Sequence, residues 1–190
     1  MVKYKQNMST FFQRVRETLE WKLGKSFSKY EETRESYLSL LRDARKWIYI
    51  VAGELDPSFY SGEFVEIIEK KLKSNEGIII NILYHKKPAK DIKEAMEYLK
   101  RENPSFFNLL NQIKNTPLEK RINIYWAERR PKYHFVVADN NVFIEKQHKP
   151  KEPRESYLKR NTVKLYRWYI DDFDILIKSP VAHRIEIRDL

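Results

Sequence analysis

The stretch Lys132-Tyr133-His134-Phe135-Val136-Val137-Ala138-Asp139 sets a lysine and a histidine two residues apart at the start of an apolar run. In a strand, Lys132, His134 and Val136 share one face, while Tyr133, Phe135 and Val137 share the other. The second set suits a helix-covered core face, which turns Lys and His together to the opposite side. Two cationic groups so placed make a compact anion site, to which the following segment adds Lys146 and His148. Over residues 129–160 nine Lys and Arg oppose four acids, so about half of the chain's net charge of +10 falls beside this site. Lys132, His134, Lys146 and His148 are therefore read as phosphate-binding. Arg129, Arg130, Lys149, Lys151 and Arg154 are read as contacts to a nucleic-acid backbone. Tyr125, Trp126, Tyr133 and Tyr157 interleave with the cations and are placed to stack on bases, with Trp126 reading better as core.

Other reactive groups give weaker patterns. His85 follows an apolar run in a basic stretch and reads as a solvated loop tip, although ligands of α/β proteins gather at such strand ends. His183 precedes an alternating segment and reads as structural. No His pair stands at i, i+4 about a Glu, so a zincin-type metal site is unsupported. Asp171, Asp172 and Asp174 read as the solvated first turn of a helix, where acids favour the dipole, rather than as a metal site. No Gly-rich phosphate loop is present, and the reading calls for no cofactor and no metal.

The elements that must position these groups can be read from periodicity. Residues 8–46 have helical spacing, broken at 22–25, with Phe12, Val15 and Leu19 on one face and Tyr37, Leu40, Leu41 and Ala44 on the next. Residues 47–52 and 78–83 are continuous apolar runs, as expected of strands buried on both faces. Helices are predicted around Phe64–Leu72, Ile92–Leu99 and Phe106–Ile113. Strands are predicted at 122–126, 133–138 and 142–144, with a hairpin turn at 139–141. Residues 146–160 read as a polar surface loop, 163–166 as a strand, 168–177 as a helix and 184–187 as a closing strand. The fold class is α/β, with a mixed and mostly parallel sheet flanked by helices. The expected division is an N-terminal helical segment, 1–46, and one α/β domain, 47–190.

Composition narrows the function classes. The absence of Cys excludes a disulfide scaffold, a thiol nucleophile and an iron–sulfur site. No apolar run approaches the length of a membrane span, and the first residues lack the apolar core of a secretion signal, so a cytoplasmic protein is expected. High Lys and Glu content without Cys resembles the surface usage of heat-adapted proteins. A net charge of +10 admits nucleic acid, an anionic membrane face or an acidic protein as partner.

From Glu35 onward the order of elements resembles one half of a phospholipase D-like (HKD) domain, over roughly residues 35–180. That half carries H-x-K-x-x-x-x-D on a strand, then a hairpin strand and a terminal helix. With the motif's Asp on Asp139, this sequence has Lys132 where the family has His and His134 where it has Lys. The family's G-S-x-N falls near Glu145-Lys146-Gln147-His148. The resemblance implies a site in which one His attacks phosphorus, a second protonates the leaving group, and Lys and Asn hold phosphate oxygens. A Lys at the attacking position is protonated at neutral pH and has no lone pair to offer. His134 is displaced along the strand by roughly 6–7 Å, two residues of rise, which near-attack geometry does not tolerate. The expectation is thus a non-catalytic domain that binds phosphates of nucleic acid through a basic face. A single half implies a homodimer whose two 132–148 regions meet at a two-fold axis. The alternatives are a metal-independent phosphodiesterase or nuclease using His134 or His148, and an adaptor for acidic lipid or protein.

Overall fold

The computed structural model describes residues 25–27, 30–60, 62–74, 77–85, 89–131, 133–145 and 156–190. Along the chain the elements are β1 (Lys25–Phe27), α1 (Tyr30–Asp43), β2 (Trp47–Ala52), a short α2 (Pro57–Tyr60), α3 (Glu63–Lys73) and β3 (Ile79–His85). They continue with α4 (Ile92–Glu102), α5 (Pro104–Ile113), β4 (Ile122–Ala127), β5 (His134–Ala138), β6 (Asn141–Glu145), β7 (Ser156–Lys159), α6 (Val163–Ile177) and β8 (Ala182–Ile185). The strands form one mixed sheet in the order β1-β7-β6-β5-β2-β3-β4-β8. β2, β3 and β4 are parallel, and every other pairing is antiparallel.

Both faces of the central strands are covered, which is why β2 and β3 read as unbroken apolar runs. On one face Ile48, Ile50, Ile80, Ile82 and Ile124 pack with Tyr37, Leu40 and Leu41 of α1, Phe64 and Ile68 of α3, and Phe106 and Leu110 of α5. On the other, Val51, Leu83, Phe135 and Val137 meet Leu165, Tyr169 and Phe173 of α6. Each large side chain so buried contributes roughly 1.5–3 kcal/mol. Asp91 caps α4 by accepting from the Glu94 amide at 2.8 Å, and Asn103 caps α5 while its amide donates to the Tyr60 carbonyl at 2.8 Å.

Several expectations need correction. Residues 163–166 are the first turn of α6, not a strand. Val163 and Leu165 look alternating only until Leu165, Tyr169 and Phe173 are taken together at helical spacing. Asp171, Asp172 and Asp174 consequently lie in the middle of α6, not in its first turn. The expected loop 146–160 contains β7, whose Ser156 and Tyr157 are buried between β6 and β1. The closing strand runs Ala182–Ile185 and gives way to a 3-10 turn at Ile187–Asp189. β5 has no open face: Val136 and Ala138, on the side of His134, enter the larger core. The expected helix around Phe12, Val15 and Leu19 lies outside the described residues.

Two polar groups hold elements distant in sequence. The Asp139 carboxylate, in the β5–β6 turn, accepts from the amides of Arg45 (2.9 Å), Lys46 (2.9 Å) and Trp47 (3.3 Å). Its backbone closes the joint, since its N–H donates to the Trp47 carbonyl and its carbonyl accepts from the Trp47 indole at 3.2 Å. The positive φ of 50° at Asp139 is one that Asp tolerates. Arg121 spreads its guanidinium over the carbonyls of Lys71, Leu72, Ser74 and Ile78, tying the end of α3 to the start of β3. Asp139→Ala is expected to cost about 2 kcal/mol by removing three amide bonds to an ionised acceptor, with Asn recovering part of the loss. Arg121→Lys is expected to destabilise comparably, because an ammonium cannot span the four carbonyls. Urea denaturation of each variant reads both effects.

Candidate phosphate-binding site

At the carboxyl ends of β2 and β3 the chain passes Gly53, and β5 enters from the turn after β4. The antiparallel register sets Val51 opposite Phe135 and His134 opposite Glu145 on β6. His134 Nδ1 lies 3.7 Å from Glu145 Oε2, a distance for charge attraction rather than a hydrogen bond. Its Nε2 is buried and has no hydrogen-bond partner. A Cβ placed on Gly53 would run into the His134 ring and lie 3.2 Å from Arg130 Nε. Glycine at position 53 is therefore what lets the imidazole and the guanidinium approach the same patch of backbone.

Beneath this group lie two tyrosines from different helices, Tyr37 of α1 and Tyr60 of α2, their rings edge to face at 5.8 Å. Burial, then the charge and hydrogen bonding of Tyr60, and then the Glu145 carboxylate hold the Tyr37 hydroxyl well above the ordinary phenol range. Burial and the same carboxylate raise Tyr60. Both phenols therefore stay neutral through the physiological range, and Glu145 is the acid that acts on both, with Asp56 acting on Tyr60 as well.

The described part of the predicted site comprises His134, Arg129 and Arg130. The structure brings His134 and Arg130 together at Gly53 and leaves Arg129 and Arg130 exposed in the turn before β5. Lys132, Lys146, His148, Lys149, Lys151 and Arg154 lie outside the described residues. Of the aromatics expected to stack on bases, Trp126 and Tyr157 are buried, and Tyr125 sets its ring against Phe173 at 6.1 Å. These rings belong to the protein's own packing. Asp139 stands at the other end of β5 and serves the joint to β2, not the site.

His85 is not a solvated loop tip. It is the last residue of β3, only 2% exposed, with Nδ1 2.8 Å from the Ala127 carbonyl. Nδ1 donates to that carbonyl, and Nε2 is buried without a hydrogen-bond partner. Its backbone amide donates to the Gly53 carbonyl at 3.1 Å, so Gly53 separates two histidines on opposite faces of the sheet. His183 stacks on Trp126 with 5.5 Å between ring centroids and pairs with Glu128 at 2.8 Å, in keeping with its structural reading. Among the described residues no group of three acids or histidines is placed to hold a metal ion.

Sequence reasoning missed Gly53, Tyr37 and Tyr60 as parts of this site and placed Glu145 only in the stretch near the family's G-S-x-N. Glu145 was accessible, because positions symmetric about the Asp139–Asn140 turn face each other across the hairpin. Gly53 gave only the signal of a glycine closing an apolar run.

No family model matches the chain, and no curated protein matches it in sequence. Solved structures do. TrmBL2, an archaeal chromatin protein described as showing a novel mode of DNA binding, superposes with a TM-score of 0.61 at 12% identity, over 97% of this chain and 63% of its own. Nuc from Salmonella typhimurium, a phospholipase D family member, gives 0.58 at 13% identity over 86% and 97%. Phosphatidylserine synthase from Haemophilus influenzae gives 0.60 at 15% identity, over 92% of this chain and 43% of its own. The chain thus spans less than two thirds of the length of TrmBL2 and of the synthase, and nearly all of Nuc. At such identities the likeness is one of fold, and the fold of this chain is phospholipase D-like.

Proposed function

We propose that the chain binds phosphate groups, those of nucleic acid in particular, through the basic face at the β4–β5 turn, and does not hydrolyse them. The observation that carries this reading is the meeting of Arg130 and His134 at Gly53, with His134 Nε2 buried and unpaired. The exposed Arg130 guanidinium supplies a charged fork for a phosphate there, with the imidazole held beside it. Arg129 and Arg130 form no ion pair with any described residue, so their charge remains available to an anion. By sequence the same face extends to Lys132, Lys146, His148, Lys149, Lys151 and Arg154, and two copies meeting about a two-fold axis would join their faces. A DNA-binding protein and a phospholipase D family member of the same fold support the reading.

Loss of hydrolysis follows from the chemistry of the replaced position. Lys132 has no lone pair at neutral pH. His134 stands two residues along the strand, with its free nitrogen beneath the Gly53–Arg130 contact. One feature favours the rival reading of a phosphodiesterase: Glu145 near Nδ1 and an unbonded Nε2 together resemble an oriented nucleophile.

Turnover of bis(4-nitrophenyl) phosphate in the presence of chelator separates the two. The binding reading expects none, whereas turnover abolished by His134→Ala would establish the enzyme. Binding of duplex DNA should fall linearly with log salt, and Arg129→Ala with Arg130→Ala should lower the slope by about 0.9 for each phosphate contact removed. An unchanged slope removes this face from the binding surface. Gly53→Ala should displace the imidazole, press on the Arg130 guanidinium, cost about 1–3 kcal/mol by overpacking and weaken binding. Thermal denaturation and anisotropy titration measure the two effects separately.

A further inference from the structure

The opposite, amino end of the sheet carries a second cationic surface, about 17–20 Å away along β2. Its centre is the N-terminus of α6. The first turn of that helix holds no acid, and Lys164 and Arg167 stand exposed there instead. Cations at the positive end of a helix dipole destabilise it, and the usual remedy of a capping side chain is missing. Thr162 occupies the capping position, is 8% exposed and makes no capping bond, and its hydroxyl is buried without a partner. A local rule broken without compensation inside the fold marks a position held for something outside it.

The neighbours of this turn fit the same anion. The Thr162 amide donates to the Asn140 carbonyl at 2.9 Å, which joins α6 to the turn that also receives the amides of Arg45 and Lys46. Arg45 and Lys46 expose their side chains, and the Lys46 ammonium lies 5.9 Å from the Trp47 ring centroid. Of the acids nearby, Asp139 is engaged with three amides and Asp43 with Arg160 at 3.0 Å, while Asp171, three residues beyond Trp168, offsets the charge only in part. One turn beyond Lys164, on the same helix face, Trp168 is 43% exposed. Cations beside an exposed indole are the chemistry that holds a single-stranded nucleic acid, with phosphates on the charges and a base on the ring.

We infer that Arg45, Lys46, Lys164 and Trp168 form a binding patch for single-stranded nucleic acid, separate from the site at Gly53. Anisotropy titration of the full chain with labelled oligothymidylate tests it. Trp168→Ala should weaken binding about fivefold or more. Lys164→Glu should weaken binding while raising Tm, because an acid at that helix end is favoured by the dipole. A purely structural role for Lys164 cannot move those two readouts in opposite directions. Wild-type affinity in both variants, with loss only in Arg129→Ala/Arg130→Ala, overturns the patch and leaves the Gly53 site standing. Loss in both variants with full affinity in the arginine double variant supports the patch and removes the other site. Equal affinity for polyglutamate, insensitive to Trp168→Ala, assigns the surface to acidic protein and overturns the inference.

Discussion

The carboxylate of Asp139 fixes the relation between β5 and β2, and most of the molecule's functional geometry follows from it. It anchors the far end of β5 to the three residues that open β2, and the antiparallel ladder then runs from Ile48 and Ala138 to Val51 and Phe135. A slip of one residue would turn His134 to the α6 side and drive Phe135 and Val137 into the wrong core. The burial of those two side chains against Tyr169 and Phe173 opposes any such slip. Register, core and site are thus one constraint, and the imidazole at the carboxyl end is placed by a carboxylate at the amino end.

The same constraint explains what a site at Gly53 can do. The ring of His134 is confined between Glu145, the Gly53 backbone and Arg130, and only 14% of its side chain reaches solvent. Confinement of this kind suits the proposed binding, since groups already held in place lose little freedom when an anion docks beside them. In-line attack on phosphorus requires in addition an open approach to Nε2 and a second group aligned on the leaving oxygen. The buried Nε2 lacks that open approach, which favours the proposed binding over turnover.

How much of this was legible depended on whether the deciding contacts were local. β2 and β3 were readable because strands covered on both faces need no alternation, and α3, α4 and α5 because each shows a regular apolar stripe. The first turn of α6 was misread because Val163 and Leu165 alternate, and only Tyr169 and Phe173, further along, disclose the helical period. β7 was hidden by the polar, proline-bearing residues before it, and its burial depends on β1 and β6, the former some 130 residues away in sequence. The three amides on Asp139 and the approach of Arg130 to Gly53 are likewise non-local. The cation count around residues 129–160 pointed to one region but gave no means of separating charges the fold uses from charges it does not.

That separation is possible once the elements are placed. Lys70, Lys71 and Lys73 stand at the end of α3, where the dipole favours cations, and Lys71 caps the Ala44 carbonyl while Lys73 pairs with Glu69. Arg42 is clamped between Glu35 and Glu63, two acids that push its pKa above its already high ordinary value. Arg121 is consumed by four carbonyls. Each of these has a structural reason. Arg129 and Arg130 have none within the described residues, and Lys164 works against the helix it begins. A basic protein whose excess charge were mere solvation would place such residues where they cost nothing. Among the cations without such a reason, Arg129 and Arg130 stand at one end of the sheet near a buried unpaired imidazole, and Lys164 at the other near an exposed indole. The proposed anion binding rests on that distribution more than on the size of the net charge.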